Sequence, residues 1–527
     1  MKDNREDIHA DVLVIGCGIA GASAALEASR AGLNVAVIAK NGELRESNTY
    51  YAQGGIVSLG LDDFPELLQE DIIEAGDGIN NPDAVALLAR EGKKKVEDIL
   101  IGELAIPFSR SAPGTLDYAQ EAGHSRRRIL HVKDTTGQTI EEKFIQALRS
   151  NPHVRLYPGH TAVDLLSVPH HSQDPIAYYR DPVCLGAYVL ENATGRVKRF
   201  FAPRTVLATG GCGGVFLYTS NPRSADGGGY AMALRAGARI VNMEYIQFHP
   251  TSLYHRDVDG FLISETVRGE GARLKTRDGK TFMEKYTKQK ELAPRDEVTR
   301  AIYEEMVNTD SAYVLLDLHS YARVDIRKRF PNIYKTCRRY GIDITREPIP
   351  VVPAAHYCCG GVMADEWGRT SLAGLYAVGE VSCTGLHGAN RLASTSLLEG
   401  LVWGIRAGRH IAENSPAALP VKPSGIHRWY YPKKEEEVDP ALVNQDWLTI
   451  RSTMWNYAGI IRTRKRLDRA RADLEYLRHR IEKFYRQARM EPSVVGLKHG
   501  IQVALMVTHA ALSNPVSRGS HYIVNGS

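Results

Sequence analysis

Val12-Leu13-Val14-Ile15-Gly16-Cys17-Gly18-Ile19-Ala20-Gly21 is the stretch that decides the architecture. Its four leading apolar residues, rich in β-branched side chains, read as a short buried strand, and an alanine-rich helical segment follows as far as Ala31-Gly32. The G-x-G-x-x-G spacing between them gives each glycine a task. Gly16 permits a tight turn, Gly18 lets the backbone approach a pyrophosphate, and Gly21 lets helix and strand pack closely. The helix N-terminus then offers unpaired N–H groups and a positive dipole end to the phosphates. The competing reading is an ordinary β–α turn, since glycines also mark plain turns. A strand before and a helix after the fingerprint weigh for a bound dinucleotide.

The glycines leave the choice of dinucleotide open. The second strand, Val35-Ala36-Val37-Ile38, ends in Ala39-Lys40, where many such sites carry an acid for the ribose hydroxyls. Val206-Leu207-Ala208-Thr209-Gly210-Gly211 is a buried-strand run ending in a glycine turn, and Gly374-Leu375-Tyr376-Ala377-Val378-Gly379-Glu380 reads as a late strand with a terminal acid. Both segments resemble those of two-dinucleotide-fold flavoproteins, and that resemblance favours FAD.

At 527 residues the chain is too long for one compact core, and two or three domains are expected. Hydrophobic residues make up 43% and charged residues 24%, the balance of a soluble globular protein. A net charge of +5 falls short of a nucleic-acid footprint and suits an acidic small substrate. The cysteines (Cys17, Cys184, Cys212, Cys337, Cys358, Cys359, Cys383) are scattered, with no C-x-x-C spacing for a metal. Reduced cytosolic thiols are expected, with a strained Cys358–Cys359 redox pair as the alternative. Met1 to Ala10 is charged and lacks an apolar h-region, and no window reaches the roughly 18 apolar residues of a membrane span. A cytoplasmic chain with no membrane span and no nucleic-acid partner is the expectation.

The pattern along the chain predicts an α/β fold: a Rossmann-like dinucleotide domain interrupted by a separate insert rich in charge and aromatic residues, which the family resemblance drawn below makes an α+β capping domain, and followed by a C-terminal helical bundle. Residues 1–241 and 356–424 form the discontinuous first domain, 242–355 the cap, and 425–527 the bundle. A proline-punctuated linker, Ser415 to Pro423, precedes the bundle. There Leu467, Ala470, Leu474, Leu477, Ile481 and Phe484 define one apolar helix face. Arg462, Arg464, Lys465, Arg466, Arg469, Arg471, Arg478 and Arg480 are read onto the opposite face, interleaved with Asp468, Asp473, Glu475 and Glu482 as on a solvated surface. Leu497, Ile501, Leu505 and Leu512 suggest a second packed helix.

Ser47-Asn48-Thr49-Tyr50-Tyr51-Ala52-Gln53-Gly54-Gly55-Ile56 follows the fingerprint, and four further segments carry cations and hydrogen-bond donors. These are Gln247-Phe248-His249-Pro250-Thr251, Leu292-Ala293-Pro294-Arg295-Asp296, Pro353-Ala354-Ala355-His356-Tyr357 and His387-Gly388-Ala389-Asn390-Arg391-Leu392-Ala393-Ser394. Through these motifs, from Asp11 to about Tyr522, the chain resembles the L-aspartate oxidases, relatives of the flavoprotein subunits of succinate dehydrogenase and fumarate reductase. In those subunits the position of Asn48 is usually the histidine bonded covalently to flavin. Asparagine forms no such bond, so the resemblance implies noncovalent FAD. A lysine at the position of Lys40 is usual in this group.

The resemblance assigns cofactor contacts to Gly16, Cys17, Gly18, Ile19, Ala20 and Gly21, to Lys40, and to Asn48, Thr49, Tyr50, Tyr51, Ala52, Gln53, Gly54 and Gly55. It adds Thr161 and Ala162, Thr209, Gly210 and Gly211, Glu380, and Ser396 with Leu397, the last pair opening a helix to Ala407 whose dipole favours an anionic reduced flavin. One departure is that the family's Gly-Asp-Gly turn reads Gly227-Gly228-Gly229 here, with the nearest acid at Asp226.

For the substrate, the resemblance makes Arg391, His249 and His356 the holders of carboxylates, with Ser264 and Ser394 as hydroxyl donors. Arginine suits this because its planar fork meets a carboxylate bidentately. The resemblance also makes Arg295 the catalytic residue that protonates fumarate, leaves open whether in aspartate oxidation it takes a proton or only stabilises charge, and has as its competing role an ion pair with Asp296 or Glu270. Glu121, in Gln120-Glu121-Ala122-Gly123-His124-Ser125-Arg126-Arg127, resembles the acidic residue of aspartate oxidases that faces the substrate amine and that plain dicarboxylate enzymes lack. At ~4 Å and an effective dielectric near 20, that pair attracts by about 4 kcal/mol. The implied activity is oxidation of L-aspartate to iminoaspartate, with electrons passed to oxygen or fumarate, feeding quinolinate synthase in de novo NAD synthesis. Two other readings stand beside it: a fumarate reductase or succinate dehydrogenase flavoprotein subunit, and a nonenzymatic flavin-binding or helical interaction module.

Overall fold

The computed structural model describes residues 7–111, 114–258, 260–320, 325–414, 418–419 and 421–524. Most of the charged N-terminal segment, residues 1–6, and linker positions 415–417 and 420 lie outside the described residues.

Val12–Ile15 form strand β1, buried along its length, and the chain turns at Gly16 into helix α1 (Ile19–Arg30). Gly16 has φ 112°, and a Cβ there would lie 2.1 Å from the Ala208 carbonyl oxygen; a Cβ on Gly21 would lie 2.2 Å from the Gly16 carbonyl oxygen. No side chain fits either place. Next come β2 (Val35–Ala39) and β3 (Val154–Pro158), then a meander of β4 (His160–Val168), β5 (Val183–Glu191) and β6 (Arg196–Phe201). β7 (Arg204–Leu207) returns to the first sheet, and α2 (Gly228–Arg235) follows. The cap contributes β8 (Ile246–Leu253), α3 (Glu265–Gly269), β9 (Arg273–Lys275), α4 (Arg295–Asn308) and β10 (Val314–Asp317). β11 (Ile349–Cys358) leads back toward β12 (Leu375–Ala377) and α5 (Thr395–Asn414). The chain closes with α6 (Pro440–Tyr457), α7 (Arg464–Tyr485) and α8 (Pro492–Ser513).

The central sheet has the order β12-β7-β1-β2-β3 and every pairing is parallel, with Val12 opposite both Arg204 and Val35. Parallel strands need covering on both faces, which explains the unbroken apolar runs of the inner strands β1 and β2. The cap sheet is antiparallel, in the order β8-β11-β10-β9. β11 runs continuously through the 355/356 position and stays paired with β8 as far as Cys358, with His356 at a bulge between the Ala355–Phe248 and Tyr357–Gln247 pairs.

α5 is longer than the expected Leu397–Ala407 helix and starts two residues earlier. It lies unusually close to α1. A Cβ on Gly404 would sit 2.5 Å from the Ala20 carbonyl oxygen, and one on Gly408 2.6 Å from that of Ala24. The four-residue glycine spacing on one face of α5 lets two backbones touch, and that contact fixes where the α5 N-terminus points.

In the bundle, Leu467, Ala470, Leu474, Leu477 and Ile481 are the buried face of α7. Arg464 and Arg469 lie four residues from Asp468 and Asp473, within 3.9 and 3.8 Å, as on a solvated face. Arg462 departs from the expectation. It precedes the helix, is fully buried, and donates to the carbonyls of Ala458, Gly459 and Glu244, so it is no part of the basic face. All seven cysteines are buried free thiols, Cys358 and Cys359 included.

Candidate functional site

A cavity of about 640 Å³ runs between the C-terminal ends of the central strands and the cap, within the span of cofactor pockets. Its walls include Gly16 to Ala20, Lys40, Asn48 to Gly55, Thr161, Ala162, Thr209, Gly210, Glu380, Ser396 and Leu397. Gly21 and Gly211 stand behind this surface. Gly21 packs on the fingerprint turn, and Gly211 backs onto Glu380, whose Oε1 would be 2.0 Å from an added Cβ. These two shape the site by close approach and do not line it.

Ser47 caps the short helix Asn48–Tyr51 by accepting from the Tyr50 N–H, and Thr49 Oγ1 accepts from the Ile19 N–H at 3.1 Å, tying that helix to the start of α1. Asn48 Nδ2 donates to Glu380 Oε2 at 2.8 Å, and Glu380 Oε1 accepts from the Cys358 N–H at 3.1 Å. Burial pushes the Glu380 carboxyl up to about 7. Asn48 Oδ1, Gln53 Oε1 and Thr209 Oγ1 are buried without a hydrogen-bond partner. Buried polar atoms are normally satisfied. Orphans along a dinucleotide-shaped wall, beside a glycine turn and a helix N-terminus, fit FAD; Asn48 gives no covalent link.

At the other end, β8, β11, α4 and the segment before α5 bring cations together. His249 Nδ1 accepts from the Thr251 N–H at 3.2 Å, so its proton resides on Nε2, which is buried and unpartnered. His356 Nδ1 lies 2.7 Å from Ser220 Oγ, and the two imidazoles are 5.3 Å apart between ring centres. Burial, with Arg295 near His249 and Arg391 near His356, holds both histidines well below the usual range, hence neutral. Arg391 is buried over the Tyr357 ring at 4.6 Å, with Nη2 donating to Gln247 Oε1 at 3.1 Å and Nε unpartnered. Arg295 opens α4 and directs Nε to Glu265 Oε2 at 2.5 Å, leaving Nη1 buried without an acceptor. The ion pair named as the competing role of Arg295 does not form, since Asp296 is engaged with Arg300 and Glu270 with Arg329. Arg295 turns toward Glu265 on α3, while Asp296 pairs one turn along α4 with Arg300.

Glu121 reaches the same cavity from a loop clamped by Arg128. That buried guanidinium binds Asp63 through two bonds of 2.8 and 2.9 Å and Asp71 through one of 2.6 Å. Ser394, at φ 57°, donates its hydroxyl to Glu121 Oε2 at 2.7 Å. Burial raises the Glu121 carboxyl, opposed by Arg295. A Cβ on Gly54 would lie 2.7 Å from Glu121 Oε1, so the flavin-side loop must be glycine there. Ser264 caps α3, accepting from the Thr266 N–H at 3.4 Å, with its hydroxyl on the cavity wall.

Three unpartnered buried donors, His249 Nε2, Arg295 Nη1 and Arg391 Nε, therefore share one cavity with the Glu121 carboxylate. An anion with two acidic groups and one ammonium complements that set. Reading of the sequence missed Glu265 and Arg268. The buried Arg268 guanidinium stands 3.4 Å from Glu265 Oε1 and donates to the Glu291 carbonyl at 2.6 Å. Although burial opposes its ionisation, Arg295 and Arg268 hold Glu265 below the usual carboxylate range. A Glu and an Arg three residues apart are ordinary on any helix, and their burial beside Arg295 was the missing signal. His499, from α8, also lines the cavity and was missed.

Residues 11–397 match the FAD binding domain family and residues 448–524 the fumarate reductase flavoprotein C-terminal family. L-aspartate oxidase 1 of Ralstonia nicotianae is 43% identical over 97% of this chain and 94% of its own length. The Pseudomonas aeruginosa L-aspartate oxidase is 41% identical over 98% and 95%. Among solved structures, a mutant of the E. coli quinol fumarate reductase superposes with a TM-score of 0.88 at 28% identity, covering 98% of this chain and 91% of the other.

Proposed function

This chain belongs to the L-aspartate oxidase family, and from that membership we infer that it oxidises L-aspartate to iminoaspartate on noncovalent FAD. Oxygen or fumarate accepts the electrons, and the reaction is the first step of the quinolinate route to NAD. The observation that carries the assignment of roles is the joint presence of three unpaired buried donors and the Glu121 carboxylate on one wall.

Bound FAD supplies the two-electron acceptor for the substrate C2 hydride. The protein's residues do the rest. Arg391, His249 and His356 hold the two carboxylates, and because both imidazoles are neutral they act as hydrogen-bond donors without adding charge. Ser264 adds a hydroxyl. Glu121, oriented by Ser394, meets the ammonium, which selects aspartate over succinate. Arg295 stands at the proton-transfer position for fumarate reduction, and Glu265 with Arg268 fixes its orientation. A guanidinium donates readily to a carbanion-like centre but is a poor base, so in aspartate oxidation its charge steadies the carboxylate.

We place the enzyme in the cytoplasm, functionally coupled to quinolinate synthase. No described helix is long and apolar enough to cross a membrane, and an imine product that hydrolyses in water favours prompt consumption. The test is peroxide release from L-aspartate run beside succinate oxidation. Aspartate turnover with peroxide and negligible succinate turnover is expected; the reverse pattern sinks the reading in favour of a fumarate reductase-type subunit.

A further inference from the structure

Lys40 directly follows β2, where dinucleotide folds meet the ribose of the adenosine half. Its ammonium is paired with the Asp226 carboxylate, and Asp226 Oδ1 accepts from the Gly228 N–H at 3.1 Å at the start of α2. Helix α8 of the C-terminal bundle closes over this pair. A Cβ on Gly496 would stand 2.8 Å from Asp226 Oδ2 and 3.6 Å from Lys40 Nζ. One turn further along α8, His499 forms part of the cavity wall.

His499 is 2% exposed, and its ring is held from behind. Nε2 lies 3.1 Å from the Val163 carbonyl oxygen and 3.3 Å from Arg235 Nη2, and Arg235 is itself fixed by Asp164. Nδ1 points the other way, toward Gly228, where an added Cβ would approach it to 2.8 Å. No hydrogen bond to Nδ1 is made by the described residues. Burial and Arg235 keep the imidazole neutral. Val163 directly follows Thr161 and Ala162, which line the same end of the cavity. A buried imidazole is thus braced on one nitrogen and open on the other, in the space that a side chain at the centre of the Gly227-Gly228-Gly229 turn would fill.

We infer that His499 is a cofactor-binding residue contributed by the C-terminal bundle, its Nδ1 hydrogen-bonding the adenosine half of the dinucleotide in place of an acid at position 228. The contact makes the bundle part of the cofactor clamp, so the glycine at 228 and the histidine at 499 are two parts of one arrangement. The inference rests on FAD being the cofactor.

The test uses the full-length apoprotein titrated calorimetrically with FAD, ADP and FMN. ADP carries only the adenosine half and FMN only the flavin half. In His499→Ala, Kd is expected to rise about 10-fold for both FAD and ADP, a change of about 1.4 kcal/mol, with FMN unaffected. Gly228→Ala leaves His499 chemically intact but forces its ring away, and should weaken FAD and ADP in the same way; it carries the test if the histidine variant does not fold. The double variant His499→Ala with Gly228→Asp should recover tight FAD binding. ADP affinity within twofold of wild type in both single variants overturns the inference, as does an equal loss for ADP and FMN. A wild-type apoprotein that binds neither FAD nor ADP overturns the cofactor assignment beneath it.

Discussion

Ser394 Oγ donates to Glu121 Oε2 across 2.7 Å, joining two residues 273 positions apart in the chain. The serine sits at φ 57°, in the left-handed region, so the turn before α5 is shaped to deliver that hydroxyl. With one oxygen engaged by Ser394, the carboxylate is oriented toward the cavity before substrate arrives.

Glu121→Gln keeps the side-chain size and removes the charge that we propose meets the substrate ammonium. Removing one partner of a desolvated ion pair costs about 3 to 5 kcal/mol. Aspartate oxidation should fall sharply with a raised KM, while fumarate reduction by the reduced enzyme stays close to wild type. A parallel fall in both activities removes Glu121 from substrate selection.

Arg295→Leu deletes the one guanidinium that both opens α4 and aims an unpartnered Nη1 into the cavity. Fumarate reduction should drop by roughly 10²-fold or more, the usual loss for a positioned acid, with the flavin absorbance ratio of the purified protein unchanged. Near-normal fumarate turnover in a flavin-replete variant contradicts the role.

Glu141 gives a pH dependence that can be signed. Both its carboxylate oxygens are buried without a partner, and burial pushes it up to about 8 from an ordinary value of 4.5. Between those two values the unfolded chain releases its proton while the folded chain retains it, so stability falls as pH rises through that window. It is fully present below about 4.5 and lost above about 8, by at most about 5 kcal/mol. Glu141→Gln should flatten the melting temperature against pH between 5 and 8. An unchanged slope in chemical or thermal melts would show that Glu141 ionises as freely in the fold as in water.

Gly404→Ala sets two effects against each other. Helix propensity favours alanine by about 1 kcal/mol, but the new Cβ would lie 2.5 Å from the Ala20 carbonyl oxygen on α1. Backbone cannot yield as a side chain does, and overpacking costs about 1 to 3 kcal/mol. The variant should melt lower than wild type and hold less flavin, because α1 and α5 both frame the cofactor cavity. A higher melting temperature would mean the two helices separate freely.

Asn48 bonds to Glu380 and provides no ring nitrogen for a link to flavin. Acid precipitation of the holoenzyme should leave all the yellow colour in the supernatant. Colour retained on the precipitated chain would contradict noncovalent attachment.

The elements nearest the fingerprint were readable because their causes are local. A four-residue β-branched run, glycines at fixed offsets and an alanine-rich period of 3.6 specify strand, turn and helix from neighbours alone. The residues proposed to hold substrate were picked out differently, as four motifs in order along the chain, each ordinary by itself, and the fold brings them to one cavity. The competing ion-pair role of Arg295 shows the limit: Asp296 and Glu270 are its candidates in sequence, whereas Glu265, 30 positions away, holds it in a juxtaposition no local period encodes. Arg462 shows the same limit, since a residue two positions before a helix does not follow that helix's faces.

By itself the sequence determined a parallel dinucleotide sheet, a C-terminal bundle, and a set of cations and hydroxyls suited to a dicarboxylate. Those properties follow from side-chain chemistry and short-range periodicity. Only the tertiary structure decided that Glu265 and Arg268 brace Arg295, that Ser394 orients Glu121, and that His499 of the bundle reaches the cofactor cavity. Each of those contacts depends on where rigid elements come to rest against one another, and that position is set by packing across the whole core, which no single stretch of chain carries.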